Sequence, residues 1–186
     1  EMCIRDRGKA TGKGYDSPQH TVILSSDYYM CKYEVTRSLW YAIMNDSIVT
    51  EEGTLPMTHI TWNDAEAFTK KLNKLTGLPF SLPTEAQWEY AAAGGESYPY
   101  AGSDNIRDVA YYASNANERL HPVGEKRENG FDLYDMSGNA AEWCTDWMSR
   151  YENTRVTDPQ GPAENPGHHK TVSYTHLRAH ETGRNL

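Results

Sequence analysis

Apolar positions in this chain come in short runs of differing period, set between long polar stretches. Val22 and Leu24 alternate within residues 20–24, which predicts a short strand, and residues 28–30 and 32–35 extend the sheet character. Thr36 is placed to cap a helix, because Leu39, Trp40, Ile43 and Met44 follow at helical spacing. Residues 45–57 read as a polar loop containing Gly53 and Pro56. The clearest helix opens at Thr61-Trp62-Asn63-Asp64, a capping box with Asp in place of the usual Glu or Gln. Its apolar face is Trp62, Ala65, Phe68, Leu72 and Leu75, and Gly77 supplies the stop. Leu82-Pro83-Thr84-Glu85-Ala86-Gln87 repeats the signal, with Thr84 paired to Gln87, Trp88, Ala91 and Ala92 facing inward, and Gly94-Gly95 ending the helix.

Beyond Gly95 the periodicity fades. Residues 98–128 are rich in Asn, Asp, Ser, Gly and Tyr, and long loops of that kind are often functional or tied to a ligand. Residues 131–147 are denser, with Trp143 and Trp147 at i, i+4, and 152–170 reads as loop again. No internal repeat and no domain linker interrupts the sequence.

Composition changes this picture in two ways. Leu, Ile, Val and Phe contribute only 27 of the 186 residues, and the formal charge is −8, a balance that taken alone points toward disorder. The 5 Trp and 13 Tyr contradict it, because each buries a large surface. The reading is one folded domain with an aromatic-rich, aliphatic-poor core and many loops. The negative balance argues against a general nucleic-acid or anionic-membrane binder, which needs a basic face. No apolar run approaches the 18 residues of a membrane-spanning helix. Cys3, Cys31 and Cys144 lack the spacing of a zinc ribbon, and a Cys31–Cys144 disulfide is possible but cannot be deduced.

Both ends fit poorly with the rest. Residues 2–7 and 172–182 resemble translated sequencing-adapter read-through, so 1–13 and 171–186 are expected to be non-native and 14–170 to be the interpretable domain. His176 and His180 stand at i, i+4 with His168 and His169 just before them. Such a pair can hold a metal on a helix, but here the reading is a frayed tail.

Five blocks in the middle carry a resemblance. They are Tyr33-Glu34-Val35-Thr36, Thr61-Trp62-Asn63-Asp64-Ala65, Leu82-Pro83-Thr84-Glu85-Ala86-Gln87-Trp88-Glu89-Tyr90-Ala91-Ala92, His121-Pro122-Val123-Gly124, and the run from Gly130 to Trp143 that contains Asp135-Met136-Ser137-Gly138-Asn139-Ala140-Ala141-Glu142. In order and content they resemble the sulfatase-modifying-factor family, which includes the formylglycine-generating enzymes. The resemblance implies an α+β architecture, the formylglycine-generating-enzyme fold related to C-type lectins, with little regular secondary structure. It implies oxidation of a cysteine in a sulfatase's C-x-P-x-R motif to formylglycine, with dioxygen and a copper ion held by two cysteines, and structural calcium. Other members are not oxidases: some resemble envelope lipoproteins or maturation proteins, and others are the lectin-like part of sulfoxide synthases.

The family's copper cysteines follow an Arg-Gly-Gly-Ser-Trp stretch that this sequence does not contain, and Cys31 and Cys144 stand at positions that are not catalytic in the family. The expectation is therefore a family member that lacks the copper-cysteine segment and is inactive as it stands. No residue is assigned a catalytic role. Asp135, Gly138, Ala140 and Glu142 match one family calcium site. Calcium takes six to eight oxygen ligands, and small residues between two carboxylates let backbone carbonyls turn inward. The alternative for the same residues is a plain turn with a solvated Asp and a helix-capping Glu. A second family site, which would begin at Asn115 or Asn117, is expected to be altered, because the loop that follows is short.

Other candidates are weaker. His59 and His121 read as structural histidines, Asp146 as a helix-surface or packing carboxylate, and Tyr98, Tyr100, Tyr111 and Tyr112 as core. There is no Gly-rich phosphate loop, no G-x-S-x-G and no H-E-x-x-H. Three functions follow in order: an oxidase acting on a sulfatase polypeptide, a non-catalytic binding or scaffold module of envelope-lipoprotein type, and the lectin-like part of a sulfoxide synthase. Compartment is not legible.

Overall fold

A computed structural model describes residues 18–44 and 52–163 in full, and 2–7 and 170–173 as backbone. Its elements are β1 (Met2–Arg7), β2 (His20–Leu24), α1 (Arg37–Met44), α2 (Trp62–Thr76), α3 (Glu85–Ala93), α4 (Ile106–Val109), β3 (Glu142–Trp147), β4 (Val156–Thr157) and β5 (Lys170–Ser173). Short helices and strands separated by loops give the mixed class with little regular structure that the sequence implies.

The chain divides into two compact units. The first comprises Glu1–Met30, Pro83–Tyr90 and Trp143–Ser173. Here β2 pairs antiparallel with β1 and parallel with β4, and β3 pairs with β5. The alternation seen at Val22 and Leu24 buries both against Ala86, with Tyr28, Tyr90 and Val156 around them. Tyr28 donates its hydroxyl to the carbonyl of Gln87, and burial pushes that phenol well above its ordinary range. Thr84 and Gln87 form the reciprocal cap foreseen: the Gln87 N–H donates to Thr84 Oγ1 at 3.2 Å, and the Thr84 N–H to Gln87 Oε1 at 2.9 Å. Ser25 bonds both carboxylate oxygens of Asp158, closing the loop beyond β2.

Of the two readings of Asp146, the packing carboxylate holds and the helix surface does not. It lies on β3, not on a helix surface, and it is buried. Its Oδ2 accepts the N–H of Glu85 at 2.7 Å, so it caps the start of α3 from 61 residues away, at the positive end of the helix dipole. Asp146→Ala is expected to cost about 2 kcal/mol, because it orphans a helix-start donor in a buried setting. Asp146→Asn, which keeps an acceptor, should cost less. Urea denaturation of the three proteins checks both.

The second unit comprises Cys31–Leu82 and Ala91–Glu142 among the described residues. Thr61 accepts the Asp64 N–H, and the Asp64 carboxylate accepts the Thr61 N–H in return at 2.8 Å, the complete capping box. Gly77 ends α2 in the left-handed conformation at φ 74°. Trp40 of α1 stacks on Phe68 of α2, ring centroids 4.9 Å apart and nearly parallel. The predicted apolar faces are partly wrong. Leu39 and Leu75 are 43% and 62% exposed, and the buried contacts come from Trp40, Ala65 and Phe68. Residues 28–35 form no strand. They run as irregular chain held by single bonds, such as Met57 N–H to the Val35 carbonyl and Tyr134 N–H to the Lys32 carbonyl. The short helix α4, missed in the sequence, starts at an Asn105 cap.

Candidate functional site

The 135–142 loop carries three left-handed residues within five positions: Asp135 at φ 57°, Gly138 at φ 97° and Asn139 at φ 58°. Asp, Asn and Gly are the residues that tolerate this region best. Gly138 is required twice over. A Cβ there would be strained by the dihedral and would overlap the carbonyl oxygen of Tyr111.

Three segments of the same unit hold this loop. The Asn139 N–H donates to the Tyr111 carbonyl at 2.9 Å. Asn139 Oδ1 accepts the His121 N–H and its Nδ2 donates to the His121 carbonyl, both at 3.1 Å. The same Nδ2 donates to Glu34 Oε2 at 2.7 Å, and the Ala140 N–H donates to Glu34 Oε1 at 2.8 Å. Asp135 Oδ2 accepts the Gly124 N–H at 2.7 Å. Glu34 of the first sequence block and residues 121–124 of the fourth thus close on the calcium-like stretch of the fifth.

The electrostatics of the loop are one-sided. Glu34 is buried, and burial, then the charges of Glu142 and Asp135, raise its carboxyl well above the usual range, against the lowering effect of its bonds from Ala140 and Asn139. Burial also raises Asp135, which the Gly124 N–H opposes and Glu125 reinforces. Three acidic side chains in one partly buried region leave a negative potential that a hard cation would relieve. Among the described residues no three His, Cys, Asp or Glu side chains gather closely enough to chelate an ion by themselves. A cation would therefore need backbone oxygen as well as carboxylate. The donor types of Asp135, Gly138, Ala140 and Glu142, two carboxylates and two carbonyls, fit that requirement.

The flank of the loop is aromatic. Tyr111 and His121 stack face to face at 3.6 Å, Lys126 lies over the Tyr111 ring, and the Tyr111 hydroxyl donates to Glu125. The hydrogen bond to Glu125 raises the Tyr111 phenol. His121 is structural, its Nε2 being 3.0 Å from the Ala116 carbonyl. His59 is exposed at φ 58° and bonded to Thr58. The expectation of a tyrosine core fails: Tyr98 is 49% exposed, and Tyr100, Tyr111 and Tyr112 are half-buried. Asn115 accepts the Tyr112 N–H and donates to the Ala110 carbonyl, so its amide is spent on a turn, and Asn117 is left-handed. Cys31 is an exposed residue whose sulfur is partly covered, and that burial, then Glu142, raises its thiol; Cys144 is fully buried. His168, His169, His176 and His180 lie outside the described residues.

Two residues that organise this unit escaped the sequence reading. Glu34 sat unremarked inside a matched block, its one signal being the single acid between Tyr33 and Val35. Asn129 precedes the fifth block. It is buried and bonds the end of α3, and nothing in local spacing marks it.

A family model described as Sulfatase-modifying factor enzyme 1-like domain matches residues 4–180. Among curated proteins the chain is 31% identical to the Chaperone protein LppX of Paenibacillus barcinonensis, over 71% of this chain and 66% of that protein. It is 37% identical to the formylglycine-generating enzyme of Streptomyces coelicolor, over 62% of this chain and 40% of that enzyme. The solved structure of Treponema denticola variable protein 1 superposes with a TM-score of 0.71 at 26% identity, covering 92% of this chain and 81% of that one. The chain spans about two thirds or less of the length of these curated relatives.

Proposed function

Because the chain belongs to the sulfatase-modifying factor enzyme 1-like family, we propose that it is a formylglycine-generating-type domain that engages a sulfatase polypeptide and is braced by calcium, without itself carrying the copper centre. The fold is that of the formylglycine-generating enzymes. The observation that carries the reading is the 135–142 loop, with buried acidic charge and left-handed turns held by Glu34 and residues 121–124. Asp135 and Glu142 would hold the ion through carboxylates, and Gly138 and Ala140 through carbonyls. When bound, calcium supplies positive charge that offsets the buried acids and ties the two ends of the loop together.

In this reading neither Cys31 nor Cys144 is a copper ligand. Cys144 is sealed inside β3, and burial and then Glu142 raise the Cys31 thiol, the opposite of the lowered range of a reactive thiolate. No oxidation step is assigned to either. The sulfatase remains the partner in this reading, recognised through its C-x-P-x-R segment. No helix among the described residues is long and apolar enough to cross a membrane.

A second reading, a non-catalytic binding or scaffold module, draws on the similarity to the chaperone LppX, which covers more of the chain than that to the Streptomyces enzyme. Two measurements separate the possibilities. Millimolar calcium should raise the melting temperature over that in chelator, the stabilisation growing with RT ln(1 + [Ca²⁺]/Kd). An unchanged melt sinks the calcium assignment. A labelled C-x-P-x-R peptide should bind with no aldehyde formed in the presence of copper and dioxygen. Failure to bind favours the scaffold reading, and aldehyde formation contradicts the statement about copper.

A further inference from the structure

Glu34 lies 105 residues before Asn139 in sequence, yet each of its carboxylate oxygens accepts a hydrogen bond from the stretch leading to Glu142. A trans peptide is planar, so fixing its N–H fixes its carbonyl in the opposite direction. The Asn139 N–H, held by the Tyr111 carbonyl, sets the Gly138 carbonyl to face away from Tyr111. The Ala140 N–H, held by Glu34, sets the next peptide, which carries the Asn139 carbonyl and lies between the Gly138 and Ala140 carbonyls proposed as ligands. Two successive peptides are thereby locked from outside the loop, and Asn139 links the locks because its amide bonds Glu34 and His121 together. We infer that Glu34 is a positioning residue for the cation loop, which acts through the Asn139 amide and the Ala140 N–H to fix the segment that joins the Gly138 and Ala140 carbonyls and takes no place among the ligands.

This rests on the calcium reading above, and the test separates the two. Calcium affinity is measured by titration calorimetry on the 186-residue protein and on Glu34→Gln, Asn139→Ala and the double variant, all well below their melting temperatures. Gln keeps the shape but offers one acceptor where two are needed. Groups that orient metal ligands typically contribute roughly 10–100-fold in affinity. Each single variant should therefore bind calcium at least about tenfold more weakly, and the double variant should lose little more than the worse single, because both changes cut the same link.

Wild-type affinity in Glu34→Gln overturns the inference. So does a normal Asn139→Ala beside a weakened Glu34→Gln, which would mean that Glu34 acts by its charge or as a ligand. Losses that simply multiply in the double variant overturn it as well. Should Glu34→Gln fail to fold, Asn139→Ala decides alone, with the same loss expected and unchanged affinity counting against it. If the unmodified protein binds no calcium, the calcium reading itself falls and takes this inference with it. If it binds and the variants bind equally well, only the inference falls.

Discussion

Gly138→Ala is expected to destabilise the protein by about 3 kcal/mol or more, and Gly77→Ala by about 1 kcal/mol. Both glycines are left-handed, at φ 97° and 74°, so both replacements incur the same kind of backbone strain. Their surroundings differ. Nothing lies within 4 Å of a Cβ built on Gly77, whereas one built on Gly138 collides with the Tyr111 carbonyl oxygen and meets the Ala110 side chain at 3.3 Å. The Tyr111 oxygen cannot retreat cheaply, because it accepts the Asn139 N–H. Relief of the clash must break that bond and loosen the loop whose Asp135 and Asn139 tie down residues 121–124. Urea midpoints of the two variants test the argument directly. Equal costs would mean that the dihedral alone sets the requirement, and that the close approach to Tyr111 is accommodated by movement. Calcium binding gives a second readout, since Gly138→Ala should weaken it and Gly77→Ala should not.

What could be read from the sequence divides along a physical line. Signals that act within one turn of chain were legible. The Thr61/Asp64 box, the Thr84/Gln87 cap, the Gly77 stop and the alternation at Val22 and Leu24 all depend on neighbours a few residues away, and each appears in the structure. Burial of an apolar face was less legible, because it depends on a partner the sequence does not name. Leu75 continues the stripe of α2 but finds no cover, while Trp40 and Phe68 find each other. The stretch 28–35 looked like strand because it is aromatic and β-branched, yet its backbone partners are isolated loops that cannot build a ladder. Least legible were polar side chains that act at long range. Asp146 caps a helix 61 residues earlier, and Glu34 grips a loop 105 residues later. The resemblance placed Asp135, Gly138, Ala140 and Glu142 in one loop, and the chain does turn sharply there, but it gave no role to Glu34 and passed over Asn129.

That last residue carries the second large expected effect: Asn129→Ala should cost about 3 to 4 kcal/mol. Asn129 is 3% exposed, and its amide makes bonds in two directions at once. Nδ2 donates to the carbonyls of Ala91 and Ala92 at 2.7 and 3.2 Å, and Oδ1 accepts the N–H groups of Phe131 and Leu133 at 2.9 and 3.2 Å. Ala91 and Ala92 belong to the last turn of α3, where the Ala91 carbonyl also accepts the Gly94 N–H at 3.1 Å and the Ala92 carbonyl relies on Asn129. Alanine would take away all four bonds in a buried place and leave at least the Ala92 carbonyl and the Leu133 N–H short of this partner, each at a cost of roughly 1–3 kcal/mol before relaxation and water entry. Asn129→Asp is the sharper probe. At neutral pH its carboxylate could still accept from Phe131 and Leu133, but it would face the helix-end carbonyls and the negative pole of the dipole with no proton to offer. Protonation restores a donor, so burial and these carbonyls should raise the folded-state pKa of the introduced carboxyl above its unfolded value of about 3.9. A carboxyl raised on folding gains stability as pH falls through its folded value and loses it as pH rises. Asn129→Asp should therefore be at least as damaged as Asn129→Ala at neutral pH, and should recover relative to it between about pH 6 and pH 4. Parallel urea melts of the two variants across that range are decisive: a pH-independent gap between them would mean that the Asn129 amide does not hold the end of α3 by donation.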